Sequence, residues 1–161
     1  MLVDLYLIRH GEAGTHNTQG DDSQRPLTDE GVARMKRQAA TLVRWGVKVD
    51  VLLSSPFMRA RQTADIVGKA LSVAVTNEDV LQCGFTIDAL PALLQKYESA
   101  KHVILAGHEP DLSTVLSGIV GGGSFRMEKG GLARIRIKTI TPPTGTALWF
   151  LTPELMGAEK P

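Results

Sequence analysis

The sequence predicts an α/β protein of three layers, a mostly parallel mixed sheet flanked by helices, and three observations carry that expectation. Short apolar runs of buried-strand type alternate with segments of helical periodicity. Three strand-to-helix turns follow such runs: Arg9-His10-Gly11-Glu12, Ser54-Ser55-Pro56-Phe57-Met58-Arg59 and Gly107-His108-Glu109-Pro110. The C-terminal part reads instead as an antiparallel ribbon, Leu132 to Lys138 and Ala147 to Leu151, joined through Pro142-Pro143-Thr144-Gly145. A chain of 161 residues suits one well-buried core, so a single domain over 1–161 is expected.

Val3, Leu5 and Leu7 alternate with Asp4 and Tyr6 ahead of Ile8, a strand pattern that stops at Arg9. A polar loop through Asp22 and Ser23 follows. Thr28 then precedes Asp29 and Glu30, the arrangement of a capped helix with an acidic first turn, and this helix runs to about Trp45. Val32, Met35, Ala39, Leu42 and Val43 form its apolar face, with Arg34, Lys36, Arg37 and Arg44 toward water. Val49 to Leu53 is a short buried-type strand, after which Ser54-Ser55-Pro56 supplies a cap with proline at the first helical position. The second helix extends to about Leu71, turning Ala60, Ala64, Val67 and Leu71 inward, and a brief strand spans Val73 to Thr76. Thr86 to Tyr97 reads as a third helix in which Pro91 sits near the start or bends the axis. Val103 to Ala106 is a further buried strand, its turn repeats the proline-led helix start, and Gly121-Gly122-Gly123 stops the helix that follows.

Hydrophobic and charged residues make up 43% and 22% of the chain, the balance of an ordinary globular protein. Net charge is +1, which leaves no global basic field for nucleic acid or anionic lipid, so an anion site must be a local concentration of charge. The single cysteine, Cys83, excludes an intramolecular disulfide and fits a reducing compartment. The stretch from Leu2 to Ile8 holds Asp4 and lacks a basic leader or cleavage site, so it is not read as a signal peptide. No run reaches membrane-spanning length. The expected location is the cytoplasm.

If the strands are parallel, the three turns converge at the carboxyl edge of the sheet, where open α/β sheets bind ligands. Arg9 and Arg59 bring planar donor forks that match phosphate, and two of the turns open helices whose free N–H groups favour an anion. Neutral imidazole is a competent nucleophile toward phosphorus, and nearby cations keep it unprotonated. His10 is therefore the candidate nucleophile, and His108 with the arginines can stabilise charge on the equatorial oxygens.

With these residues in view, Arg9-His10-Gly11-Glu12 resembles the signature of the histidine phosphatase, or phosphoglycerate mutase-like, superfamily. Ser54-Ser55-Pro56 with Arg59-Ala60-Arg61-Gln62-Thr63-Ala64 resembles that family's second arginine segment, and Gly107-His108-Glu109 its late histidine segment, in the family's order. The likeness spans roughly Leu2 to Val120 and implies a phosphoglycerate mutase-like fold. Asp22-Ser23-Gln24-Arg25-Pro26-Leu27-Thr28 followed by Gly31 resembles the SixA-type phosphohistidine phosphatase branch. The resemblance implies His10 as nucleophile and Arg9, Arg59 and His108 as the catalytic phosphate pocket. It implies no metal and no organic cofactor, and a phosphorylated protein of histidine phosphotransfer type as partner. Glu109, Asn17 and Arg25 are placed at the pocket edge as further substrate contacts; Asn17 stands one position later than the asparagine of many mutase-like members. Members that cleave alcohol esters carry an acidic proton donor where this chain reads Val80-Leu81-Gln82-Cys83-Gly84, with Glu78 and Asp79 only nearby. An alkoxide leaves poorly without such a donor, whereas a phosphoramidate nitrogen can be protonated beforehand, which favours phosphohistidine.

Plainer readings stand beside these. His16 and His102 are read as surface residues, and Arg25 either touches phosphate or pairs with Asp22, the latter slightly favoured. Glu12 is expected to orient His10 or Arg9, Gln62 and Thr63 to lie inside the second helix, Cys83 to be partly buried, and Trp45 and Trp149 to anchor the core or an interface. Three alternatives to a phosphohistidine phosphatase remain open. One is a small-molecule phosphomonoesterase acting on a small phosphate ester; another is a non-catalytic phosphoprotein-binding module. The last, a metal hydrolase built on His10, His16 and His108, lacks a helical two-histidine motif.

Overall fold

The computed structural model describes residues 2–16 and 20–157. Strand β1 (Val3–Arg9) leads through one 3-10 turn (Asp22–Gln24) to helix α1 (Asp29–Arg44). Then come β2 (Val51–Ser54), α2 (Met58–Leu71) and β3 (Val75–Asn77). Helix α3 (Leu90–Lys96), β4 (His102–Gly107) and α4 (Asp111–Val120) follow, and β5 (Leu132–Thr139) and β6 (Thr144–Leu151) close the sheet. The strand order is β3-β2-β4-β1-β5-β6. The first four strands are parallel and the last two antiparallel, as expected.

Period-two alternation sorts each central strand onto two faces, and both faces are buried. Tyr6, Ile8, Leu52 and Ile104 pack against Met35, Ala39 and Leu42 of α1 and Ala64 and Val67 of α2. Leu5, Leu7, Leu53 and Leu105 meet Leu90, Leu93 and Leu94 of α3 and Leu112, Val115, Leu116 and Ile119 of α4. Thr28 caps α1 by accepting from the Gly31 N–H at 2.9 Å. Gly121, at φ 85°, ends α4 in the left-handed conformation that glycine adopts without strain. No helix among the described residues is long and apolar enough to cross a membrane.

Several local expectations are corrected. Helix α2 begins at Met58, so Pro56 lies outside it, and Ser55 Oγ accepts from the Phe57 N–H at 3.2 Å. Pro110 likewise precedes α4. The third helix is split, with a 3-10 turn (Ile87–Ala89) ahead of α3, because Pro91 fits only the first helical turn. Val43 and Trp45, each 49% exposed, stand off the core because α1 ends there. Trp149, in contrast, packs on the core as expected, half-buried against Tyr6 with ring centroids 5.8 Å apart. Arg34 does not simply face water: it is half-buried and pairs with Glu154 at 3.4 Å and Glu12 at 3.8 Å.

Candidate active site

Three parallel strands end at one level. Arg9 of β1 pairs with Gly107 of β4, and Ser54 of β2 pairs with Ala106 of β4, so His10, His108 and Ser55 leave the sheet side by side at its carboxyl edge. Arg59 arrives from the first turn of α2. The imidazoles of His10 and His108 stand with ring centroids 5.5 Å apart, and Arg59 Nε donates to His10 Nε2 at 3.3 Å.

His10 is 7% exposed, and its Nδ1 lies 2.7 Å from the Gly11 carbonyl oxygen. A carbonyl can only accept, so Nδ1 carries the proton and Nε2 keeps its lone pair. Burial, joined by the charges of Arg59 and Arg9, pushes the His10 pKa down to about 3. The imidazole is thus neutral, with its unprotonated nitrogen accepting from a guanidinium. The backbone around it is held from α2: the Gly11 N–H donates to Thr63 Oγ1 at 2.9 Å, and that hydroxyl donates to the Arg59 carbonyl at 2.8 Å.

His108 is 3% exposed, with Nε2 2.8 Å from Ser55 Oγ and Nδ1 without a hydrogen-bond partner among the described residues. Burial and the Arg59 charge lower its pKa to about 4. The Phe57 ring meets it edge-on at 5.1 Å and also lies 5.1 Å from the Arg59 guanidinium carbon. Arg9 donates through Nη1 to the Met127 carbonyl at 2.9 Å, while its buried Nε has no partner among the described residues. Arg59 spends Nη1 on the Asp22 carbonyl at 2.9 Å and Nη2 on Asp22 Oδ2 at 3.1 Å. Asp22 Oδ1 in turn accepts from Arg25 Nε and His16 Nδ1, each at 3.0 Å. Burial works against its charge, yet those two hydrogen bonds and the Arg59 charge hold the Asp22 pKa at about 2. Two neutral imidazoles and two arginines with spare donors make a site able to hold a tetrahedral oxyanion against a nitrogen nucleophile.

Residues 5–82 match the model of the histidine phosphatase superfamily (branch 1). A Picosynechococcus protein described as uncharacterized is 32% identical over 158 residues, covering 93% of this chain and 96% of that protein. Phosphohistidine phosphatase SixA of Escherichia coli (strain K12) is 31% identical over 113 residues, 67% of this chain and 68% of its own. The chain belongs to the histidine phosphatase superfamily. The solved structures support its SixA branch as well: the protein histidine phosphatase SixA complexed with tungstate matches at a TM-score of 0.84 with 25% identity, covering 96% of this chain and 99% of that one. The protein is accordingly a histidine-dependent phosphatase.

Around the core of this histidine phosphatase, the remaining expectations divide. Arg25 pairs with Asp22 and donates through Nη1 to the Gly14 carbonyl at 2.8 Å, so it braces the loop. Glu109, expected as a substrate contact, accepts through its carboxylate from the Ser113 N–H at 3.0 Å and from Ser113 Oγ at 2.7 Å. That internal anion caps the α4 N-terminus, so the helix end is not free for phosphate. Glu12 is corrected, since its ion pair is with Arg34 and its carbonyl accepts from the Thr28 N–H at 2.9 Å. Asn17 lies outside the described residues. Glu78 is bound by Lys96 and the Tyr97 hydroxyl, and these bonds overcome burial to lower its pKa. Asp79 is exposed and accepts from Gln82 Nε2 at 3.3 Å. Cys83 is exposed rather than partly buried. Among the described residues no group of three or more His, Cys, Asp and Glu side chains could hold a metal ion.

Sequence reasoning missed Asp22, Ser55, Gln62 and Thr63 as parts of the site. Gln62 and Thr63 lie inside α2 as expected, and each also ties a loop to it: Gln62 Oε1 accepts from the Leu27 N–H at 2.8 Å and Thr63 Oγ1 from the Gly11 N–H at 2.9 Å. Nothing local marks the two, since they stand among Arg59, Arg61 and Asp65 in a helix of mixed polarity. Asp22 meets Arg59 across 37 positions, which no local pattern marks.

Proposed function

We propose that the protein removes the phosphoryl group from phosphohistidine on a protein, through a covalent phosphoryl intermediate on His10. The observation that carries this reading is the His10 imidazole, buried, neutral and held by the Gly11 carbonyl with its Nε2 lone pair toward Arg59. In the first step His10 Nε2 bonds to phosphorus as the phosphorus–nitrogen bond to the substrate imidazole breaks, and the leaving imidazole departs neutral because its other nitrogen was already protonated. Water then attacks phosphorus, the bond to His10 breaks, and inorganic phosphate leaves. Arg9, Arg59 and His108 stabilise the oxygens as charge shifts across the transferring group.

The choice of leaving group is supported by the state of the nearby acids. Asp22 is ionised, Glu78 is held by Lys96 and Tyr97, and Glu109 is held by Ser113. None is poised to protonate an alkoxide. A cytoplasmic setting fits the exposed, unpaired Cys83.

The test is rapid acid- and alkali-quench with labelled phosphohistidine protein, an aryl phosphate and a sugar phosphate. The expected result is an acid-labile, alkali-stable adduct mapping to His10, absent in His10→Ala, with kcat/KM highest for phosphohistidine and lowest for the sugar phosphate. Turnover without an adduct would remove the covalent mechanism. A sugar phosphate that outpaces phosphohistidine would make the protein a small-molecule phosphomonoesterase, and phosphoprotein binding without turnover would make it a recognition module.

A further inference from the structure

His108 has one ring nitrogen engaged and one bare, and the engaged side decides what the bare side offers. Nε2 sits 2.8 Å from Ser55 Oγ, and both residues are buried, His108 at 3% exposure and Ser55 at 0%. Nδ1 is buried without a partner among the described residues. The Ser55 oxygen already accepts from the Phe57 N–H at 3.2 Å, so one of its two lone pairs is taken.

Two arrangements are possible for a neutral imidazole. If Nε2 carried the proton, it would donate to the second lone pair of Ser55, whose own proton would have no acceptor among the described residues. Nδ1 would then present a lone pair to the incoming oxyanion, adding repulsion to an unmet donor. If instead the Ser55 hydroxyl donates to Nε2, every group on the Ser55 side is satisfied and Nδ1 carries an N–H. That N–H is a buried donor in want of an acceptor, which a phosphoryl oxygen supplies. A doubly protonated ring is disfavoured by burial and by Arg59, consistent with the depressed pKa.

We propose that Ser55 is a positioning residue that locks His108 in the Nδ1–H tautomer, so that a neutral imidazole donates a hydrogen bond to the transferring phosphoryl group. This rests on the phosphatase reading above for its consequence, though not for the tautomer itself. The neighbouring contacts keep the geometry: Ser54 Oγ donates to the Ser55 carbonyl at 2.8 Å, and the Phe57 ring abuts the His108 edge.

The experiment is nitrogen-15 NMR of the full chain labelled at histidine, near pH 7, combined with kinetics on an aryl phosphate. In the wild type, His108 Nδ1 should give the protonated-type shift and Nε2 the unprotonated type; the reverse assignment overturns the proposal. In Ser55→Ala the two tautomers should mix, with kcat down about tenfold or more and KM changed far less, the pattern of a lost transition-state contact. In a His108→Ala background the same substitution should cost nothing further. Losses that multiply, or a change confined to KM, would mean that Ser55 acts without His108. The wild-type spectrum needs no variant, so the proposal stays testable if Ser55→Ala does not fold. A correct tautomer in a protein with no turnover on any phosphate would sink the phosphatase reading and leave the Ser55 assignment standing.

Discussion

Asp22 occupies two of the five N–H donors of Arg59, the guanidinium that a phosphoryl group would use. Arg59 gives Nη1 and Nη2 to Asp22 and Nε to His10, so an entering oxyanion competes with a carboxylate already in place. Removing that carboxylate's charge should favour the anion, since a like charge beside a bound oxyanion costs about 1 kcal/mol or more at partly exposed distances. Asp22→Asn is therefore expected to lower the vanadate inhibition constant several-fold, read from initial rates at constant pH and ionic strength. A raised constant would show that Asp22 matters more for aiming Arg59 than for opposing the anion. In the sequence this residue stood out as part of a polar loop with Arg25 and of the SixA-like segment, not as a partner of Arg59. His10 and His108 were legible because each follows directly on an apolar run that ends a strand, whereas Asp22 acts on a helix with which it shares no local pattern.

At the scale of elements, the start of α1 is pressed against the loop that leaves β1. A Cβ placed on Gly31 would stand 2.2 Å from the Glu12 carbonyl oxygen, and backbone cannot yield as a side-chain tip can. The same carbonyl accepts from the Thr28 N–H, so cap and loop form one joint behind His10. Gly31→Ala should destabilise the protein by about 2 kcal/mol, the scale of overpacking in a closed site, and reduce turnover by displacing the loop. Urea unfolding of Gly31→Ala beside Gly14→Ala checks this, because a Cβ on Gly14 meets no atom of the described residues within 4 Å and should change little. The cap at Thr28 was legible from residue order, since capping is a local hydrogen bond. The start of α2 was not. Ser55 and Pro56 carry a helix-opening pattern, but Ser55 is drawn to His108, and the helix waits until Met58.

For the molecule as a whole, burying ionisable groups in the sheet and at its edge sets the response to acid. His10 and His108 fall from 6.5 to about 3 and about 4, so on lowering the pH the unfolded chain takes up protons before the folded one does. Their contribution is fully present above pH 6.5 and is lost as pH falls toward the folded values, at up to about 1.4 kcal/mol per pH unit for each. Asp4, buried on β1, is lowered from 3.8 to about 2 by the Arg136 hydrogen bond, against burial and with help from Arg134. Its contribution is present above 3.8 and disappears between there and about 2. Stability should thus begin to fall below about pH 6.5 and fall further below pH 4. Urea midpoints from pH 7 to 5 should decline in the wild type and decline less steeply in His108→Gln; parallel slopes would show that His108 is not buried neutral.

The residue pattern by itself determined the order of strands and helices along the chain, the two-faced burial of the central strands and the presence of two histidines and two arginines in the segments that follow three strands. These follow from period, capping and composition, which act over a few residues. Tertiary structure alone decided which polar groups meet. The sheet order β2-β4-β1 sets Ser55 against His108 and His10 against Arg59, and the packing of α4 gives the Glu109 carboxylate to Ser113. Hydrogen bonds are directional and reach only about 3 Å. A partner 37 or 53 positions away therefore cannot be read until the chain is folded.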